Sequence, residues 1–152
     1  MVCFGAILFD EGLDESFYGQ TRPISDRSVP EALAVSGFSR EQHLTFDDPK
    51  AVMEKFSTWL GEHSDGYPVF VSDNLAFDWQ FINYYFHRFL GRNPFGFSGR
   101  RIGDLYAGLV KDAYKATEWK KFRVTRHSHN PVDDARGNAE ALMRLRQMGL
   151  RI

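Results

Sequence analysis

Asn74-Leu75-Ala76-Phe77-Asp78-Trp79-Gln80-Phe81-Ile82 is the stretch whose reading decides the fold. Phe77, Phe81, Tyr85 and Phe89 form one i, i+4 row, the spacing of a single helical face, and Gly91 and Asn93-Pro94 stop it. The spacing predicts a helix over 76–90. Just before it, Val69-Phe70-Val71 reads as a short buried strand set off by Gly66-Tyr67-Pro68. A strand leading directly into an apolar helix belongs to an α/β fold. Asp78 then falls in the first helical turn, just past a strand's carboxyl end, where open α/β sheets bind ligands. The plainer explanation is that Asp78 complements the helix dipole and that Asp73 and Asn74 are caps.

A second motif lies further on, His129-Asn130-Pro131-Val132-Asp133-Asp134. Asn130 is a good N-cap, Pro131 a good first helical residue, and Asp133 is placed to complete a capping box. Capping leaves His129 and Asp134 less explained. A histidine before the cap and a carboxylate one turn into the helix hold a base and a hard metal ligand close together. The helix itself is predicted over 131–148, with Val132, Ala135, Ala139, Leu142 and Leu145 on one face and Gly149 as its stop.

Working outward, Val2–Phe9 reads as a buried strand ended by Asp10-Glu11-Gly12, and Ser16–Thr21 as a second strand paired with it through the turn. Residues 22–48 read as an extended connection with a short helix near Glu31–Val35. Asp47-Asp48-Pro49 starts a helix on which Val52, Phe56, Trp59 and Leu60 recur at helical spacing. Ile102–Val110 fits either a short strand or a helix start. Lys115–Ser128 is basic and weakly periodic and reads as a mobile loop.

A chain of 152 residues with 43% hydrophobic residues and fourteen Phe is one ordinary domain with a real core. No apolar run is long enough for a membrane span, and the N-terminus lacks the layout of a signal peptide. The single cysteine, Cys3, cannot form an internal disulfide, which fits a reducing cytoplasm. The net charge of −1 hides an asymmetry: residues 1–60 carry ten acids against five bases, and residues 100–129 carry eight bases against three acids, with His127 and His129 among them. A basic stretch beside carboxylates has the makings of a phosphate-binding rim, and equally of a solvated loop. Trp79, Trp119, Tyr106 and the rim would offer stacking and phosphate contacts to a single strand, although core packing is the ordinary role of a tryptophan.

Taken together, the two motifs resemble the second and third motifs of the histidine-type DEDD exonucleases, the proofreading-exonuclease and RNase T relatives. The second motif is similar to Asn74-x-x-Phe77-Asp78-x-x-Phe81-Ile82 and the third to His129-x4-Asp134. Pro30–Ser39 is similar to the loop before that family's first long helix. The resemblance implies an α/β, ribonuclease H-like mixed sheet flanked by helices, in one exonuclease-like domain spanning 1–152. It implies hydrolysis of single-stranded DNA or RNA from the 3′ end with two Mg²⁺ or Mn²⁺ ions. By carry-over, Asp78 and Asp134 are metal ligands and His129 deprotonates the attacking water. Asn74, Phe77, Trp79 and Arg126 are the expected substrate contacts, and a homodimer is the expected assembly.

One departure stands out. The family's first motif, Asp-x-Glu on the central strand, is absent. The acidic pair Asp10-Glu11 near the N-terminus is adjacent rather than spaced by one, and adjacent side chains on a strand point to opposite faces. Met1–Phe9 looks like the family's second strand, so the resemblance implies that the first central strand is missing and that Met1–Phe9 and Val69–Val71 face each other with unpaired edges. The expectation is therefore that Met1 is an internal methionine of a longer protein, or that another chain or a rearranged pairing fills the gap. As written, the chain is expected to be weakly active or inactive. The alternative is a non-catalytic nucleic-acid-binding or regulatory module on the same scaffold. A third reading is an unrelated α/β domain whose caps mimic the motifs.

Overall fold

The structure, a computed structural model, describes residues 1–152. Strands β1 (Cys3–Ile7) and β2 (Ser16–Gln20) form an antiparallel pair in the register Cys3 opposite Gln20 to Ile7 opposite Ser16. Asp10 shapes their turn: its carboxylate accepts from the backbone N–H groups of Gly12 and Leu13 at 3.1 and 2.7 Å. Two short helices follow, α1 (Pro30–Val35) and α2 (Arg40–Leu44). The second corrects the reading of 22–48 as extended beyond one helix. Its signal is a full capping box, in which the Ser39 hydroxyl and the Gln42 side chain each accept from the other residue's backbone N–H.

Helix α3 (Pro49–Glu62) starts where expected, with the Asp48 carboxylate accepting from the N–H groups of Lys50 and Ala51. Strand β3 (Phe70–Ser72) leads into α4 (Leu75–Leu90), which ends on Gly91 in the left-handed conformation at φ 71°. Strand β4 (Gly99–Arg101) pairs parallel with β3 and runs directly into α5 (Ile102–Val110). The ambiguous stretch 102–110 is thus helical, and a strand precedes it. The stretch 115–128 is not simply a loop: 3₁₀ turns at Ala113–Lys115 and Glu118–Phe122 surround Trp119, which is 1% exposed. Helix α6 (Pro131–Gln147) closes the chain.

The strands form two separate two-stranded ladders, β1–β2 and β3–β4. Mixed strand directions flanked by helices match the expected fold class, and β1 and β3 are not hydrogen-bonded to each other. Helix α6 lies against β1. A Cβ added at Gly5 would stand 2.5 Å from the Pro131 carbonyl carbon, so only glycine admits the helix start this closely.

Two apolar clusters hold these layers. Phe4, Val52, Phe56, Ile82, Tyr85 and Phe86 join β1 to α3 and α4. Ile102, Tyr106, Trp119, Leu142 and Leu145 join α5, the second 3₁₀ turn and α6. Each fully buried large side chain contributes about 1.5–3 kcal/mol of transfer free energy. The N-terminus is tied in as well, because the Tyr85 and Thr21 hydroxyls both donate to the Met1 carbonyl, at 2.9 and 3.0 Å.

Candidate nuclease site

The second motif is built by the cap of α6. The Asn130 side-chain oxygen accepts from the N–H groups of Val132 and Asp133 at 2.9 and 3.4 Å. Asp133 does not complete a capping box; its carboxylate accepts from the Ser128 hydroxyl at 3.1 Å, and that hydroxyl in turn accepts from the Asn130 N–H. Asp134 accepts from the Ser128 N–H at 3.0 Å. The turn so formed holds His129 at φ 64°, in the left-handed region that few residues other than glycine adopt.

That backbone turn brings the two imidazoles of the loop together. The His127 and His129 rings lie 4.5 Å apart, and His127 Nδ1 is 2.6 Å from Asp134 Oδ1. One ligand atom from each of His127, His129 and Asp134 lies within 4.8 Å of the others. His129 and Asp134 therefore converge as the motif predicts. The partner in contact with the carboxylate is His127, which motif reading passed over. The available signal was the close His-x-His spacing alone, because the left-handed turn at His129, and not strand alternation, brings the two rings together.

Asp78 is not among the groups that converge there. It sits half-buried in the first turn of α4, beside Ser72 at the end of β3. Burial pushes its carboxyl above the ordinary carboxylate range; the neighbouring Ser72 hydroxyl pulls the other way, and the Asp73 charge adds to the rise. The Ser72 hydroxyl is buried without a well-formed hydrogen bond, so its pull on Asp78 is that of a nearby dipole rather than a closed contact.

The two motifs are joined through Asp73. Its carboxylate accepts from Arg123 at 3.4 Å and from the Asn138 amide at 3.5 Å, and its carbonyl accepts from Arg101 Nε at 3.3 Å. Arg123 also donates to the Asn138 side-chain oxygen and lies over the Trp119 ring at 5.1 Å. Asp73 is thus a cross-strut, and neither it nor Asn74 acts as a side-chain cap of α4. Asn138 follows Asp134 by one helical turn on α6, which places both on one face.

Among the expected substrate contacts, Asn74 and Arg126 are exposed, Phe77 is 54% exposed, and Trp79 is half-buried edge-on to Phe70. Trp119 and Tyr106, at 1% and 4% exposure, are core residues and offer no face to a base. Divalent cations are the family's usual partners, but the residues gathered at α6 do not fit a pair of Mg²⁺ ions. Mg²⁺ takes oxygen ligands in an octahedron, whereas this cluster holds two imidazoles and one carboxylate.

A histidine and an aspartate meeting at a helix start, on a ribonuclease H-like arrangement of strands and helices, are the marks of a DEDDh nuclease. The comparisons agree. The chain is 36% identical over 149 residues to the 3′-5′ DNA exonuclease Cap18 of Escherichia coli, covering 92% of this chain and 79% of that protein. The nuclease domain of 3′hExo, a DEDDh family member solved bound to rAMP, superposes with a TM-score of 0.75 at 18% identity, over 98% of this chain and 82% of that one. Cell-death related nuclease 4 superposes with a TM-score of 0.74 at 19% identity, over 97% of this chain and 57% of that one. No family profile matches the chain. The chain belongs to the DEDDh-type 3′–5′ exonucleases, which are phosphodiester hydrolases.

Proposed function

We propose that this chain is a single domain that trims single-stranded DNA or RNA from the 3′ end in a divalent-metal-dependent reaction. His129 is the base facing the attacking water, and Asp78 and Asp134 are the carboxylates that would hold a divalent cation, which would supply Lewis-acid stabilisation of the phosphodiester. The observation that carries this reading is the convergence of His129 and Asp134 donor atoms at the start of α6. The exposed Phe77 and the edge of Trp79 receive the terminal bases, and Asn74 and Arg126 contact the strand beside them. The description of the Escherichia coli relative as a DNA exonuclease puts DNA first among substrates.

With two carboxylates in place of four, and with Asp78 outside the cluster, hydrolysis by these 152 residues is weak. A site of Mg²⁺ or Mn²⁺ pairs needs carboxylates that no Asp-x-Glu in this sequence supplies. The unpaired Cys3 suits a reducing cytoplasm. The homodimer expected from the family is read by light scattering.

The test is a single-stranded oligonucleotide labelled at its 5′ end, incubated with Mg²⁺ or with Mn²⁺. Stepwise shortening from the 3′ end that disappears in Asp78→Ala and His129→Ala is the expected result. Tight binding without shortening, unchanged by either substitution, favours instead a nucleic-acid-binding module on the same scaffold. That reading draws on the absence of an Asp-x-Glu from this sequence.

A further inference from the structure

We propose that His127, His129 and Asp134 form a site for one imidazole-preferring divalent cation of the zinc or cobalt type. The proposal rests on the nuclease reading only in sharing two residues with it. His127 has no part in the motif that identified the family, yet its Nδ1 lies 2.6 Å from Asp134 Oδ1. The third donor, from the His129 ring, completes a triangle no wider than 4.8 Å.

The geometry is close to what such an ion requires. Zinc binds imidazole nitrogen and carboxylate oxygen at about 2.0–2.2 Å, so neighbouring ligands of a tetrahedral site stand roughly 3.3 Å apart. Reaching that separation needs the His127–Asp134 pair to open slightly from 2.6 Å, the ion displacing the proton shared there, and the wider edges to close from at most 4.8 Å; both moves are side-chain rotations, because the two imidazoles lie at the exposed surface. The carboxylate is held in place, since Asp134 is fixed by the Ser128 N–H and by the helix. The donor chemistry selects the ion: two neutral imidazoles and one carboxylate leave a fourth position for water and suit zinc, cobalt or nickel over magnesium. No carboxylate cage is needed, so the site is complete within residues 127–134.

The experiment titrates Co²⁺ into the full chain and follows the visible absorption of a four-coordinate site, with Zn²⁺ as the competing ion. One equivalent of Co²⁺ is expected to give the intense tetrahedral bands, and Zn²⁺ to remove them. His127→Ala and Asp134→Asn are each expected to weaken binding at least about a hundredfold, since even outer-sphere partners of metal ligands are worth about 10- to 100-fold. Both side chains lie outside the apolar clusters, and circular dichroism checks that each variant is folded. Weak six-coordinate bands, or a tetrahedral spectrum that survives His127→Ala in the folded variant, overturn the proposal. Because the readout is spectroscopic, it is independent of nuclease activity. A chain that binds Co²⁺ as described but shortens no oligonucleotide supports this site and rejects the nuclease reading alone.

Discussion

Gly5 of β1 lies directly beneath Pro131, the first residue of α6, so closely that a Cβ would stand 2.5 Å from the Pro131 carbonyl carbon and 2.6 Å from its oxygen. The helix that carries Asp134 is seated on this contact, and the obstacle is backbone that no rotamer change can move. Gly5→Ala is therefore expected to shift the start of α6 and to cost about 1–3 kcal/mol, the usual range for overpacking. Urea unfolding measures it. An unchanged midpoint would show that the helix start is not held against the strand.

Asp73 joins the two motifs, and its removal leaves a guanidinium without its carboxylate. The Arg123 side chain is 12% exposed and its Nε already lacks a partner. Asp73→Ala is expected to cost about 1–3 kcal/mol, the range for stranding a buried polar partner, discounted toward the lower end because Asp73 itself is partly solvated. Asn138→Leu should show a smaller loss, and the double variant less than the sum of the two, since both side chains share Arg123.

Glu140 anchors the loop that leads to His127. Its carboxylate accepts from the Thr125 N–H at 2.7 Å, the Thr125 hydroxyl at 2.8 Å and the Val124 N–H at 3.0 Å. Burial alone would raise its pKa; these bonds and the nearby Arg136 outweigh burial and hold it below the ordinary 4.5. A carboxyl lowered in the folded state adds stability above its unfolded pKa, and that stability is lost as pH falls through the folded value. The loop is thus expected to loosen only in acid below about pH 4.5, and Glu140→Gln to remove that acid dependence. Amide hydrogen exchange at Val124 and Thr125 against pH is the measurement.

Phe77 is exposed at the start of α4 and stacks edge-on with Phe81 at 5.1 Å. Truncating it removes little buried area, so Phe77→Ala should leave the melting temperature nearly unchanged. As a base-stacking platform its loss is expected to weaken oligonucleotide binding by about 1–3 kcal/mol. Fluorescence anisotropy with a labelled single strand decides it; equal affinity of the two proteins would remove Phe77 from the substrate path.

Zinc and hydrolysis compete for the same side chains in the two readings combined. Zn²⁺ added to a Mg²⁺-driven assay is expected to stop shortening at concentrations that fill the His127–His129–Asp134 cluster, and a chelator selective for zinc to restore it. Inhibition by zinc that is equally strong in His127→Ala would place the inhibitory ion elsewhere.

The three long helices α3, α4 and α6 were legible because their causes are close in sequence, whereas the short α2 was missed although its Ser39–Gln42 capping box is just as local. The i, i+4 row of Phe77, Phe81, Tyr85 and Phe89, the Asp48 cap and the Asn130–Pro131 start each depend on groups within a turn or two. The two motifs were legible for the same reason, as residue types at fixed spacing. Strand β4 was not, because Gly99-Arg100-Arg101 has no apolar alternation and becomes a strand only through pairing with Phe70–Ser72. Trp119 lay in a basic stretch whose weak periodicity hid the 3₁₀ turn that buries it.

By itself, the sequence determined the α/β class, the family and the pair His129 and Asp134, since those follow from local propensity and from motif residues at set intervals. Tertiary structure alone decided that His127 is the side chain beside Asp134, that the three converging donors are His127, His129 and Asp134, and that Asp73, Arg123 and Asn138 tie the motifs together. These relations join residues as many as 65 positions apart. They depend on how helices and strands pack across the core and on the left-handed His129 in the turn before α6, and neither is encoded in the spacing of neighbours along the chain.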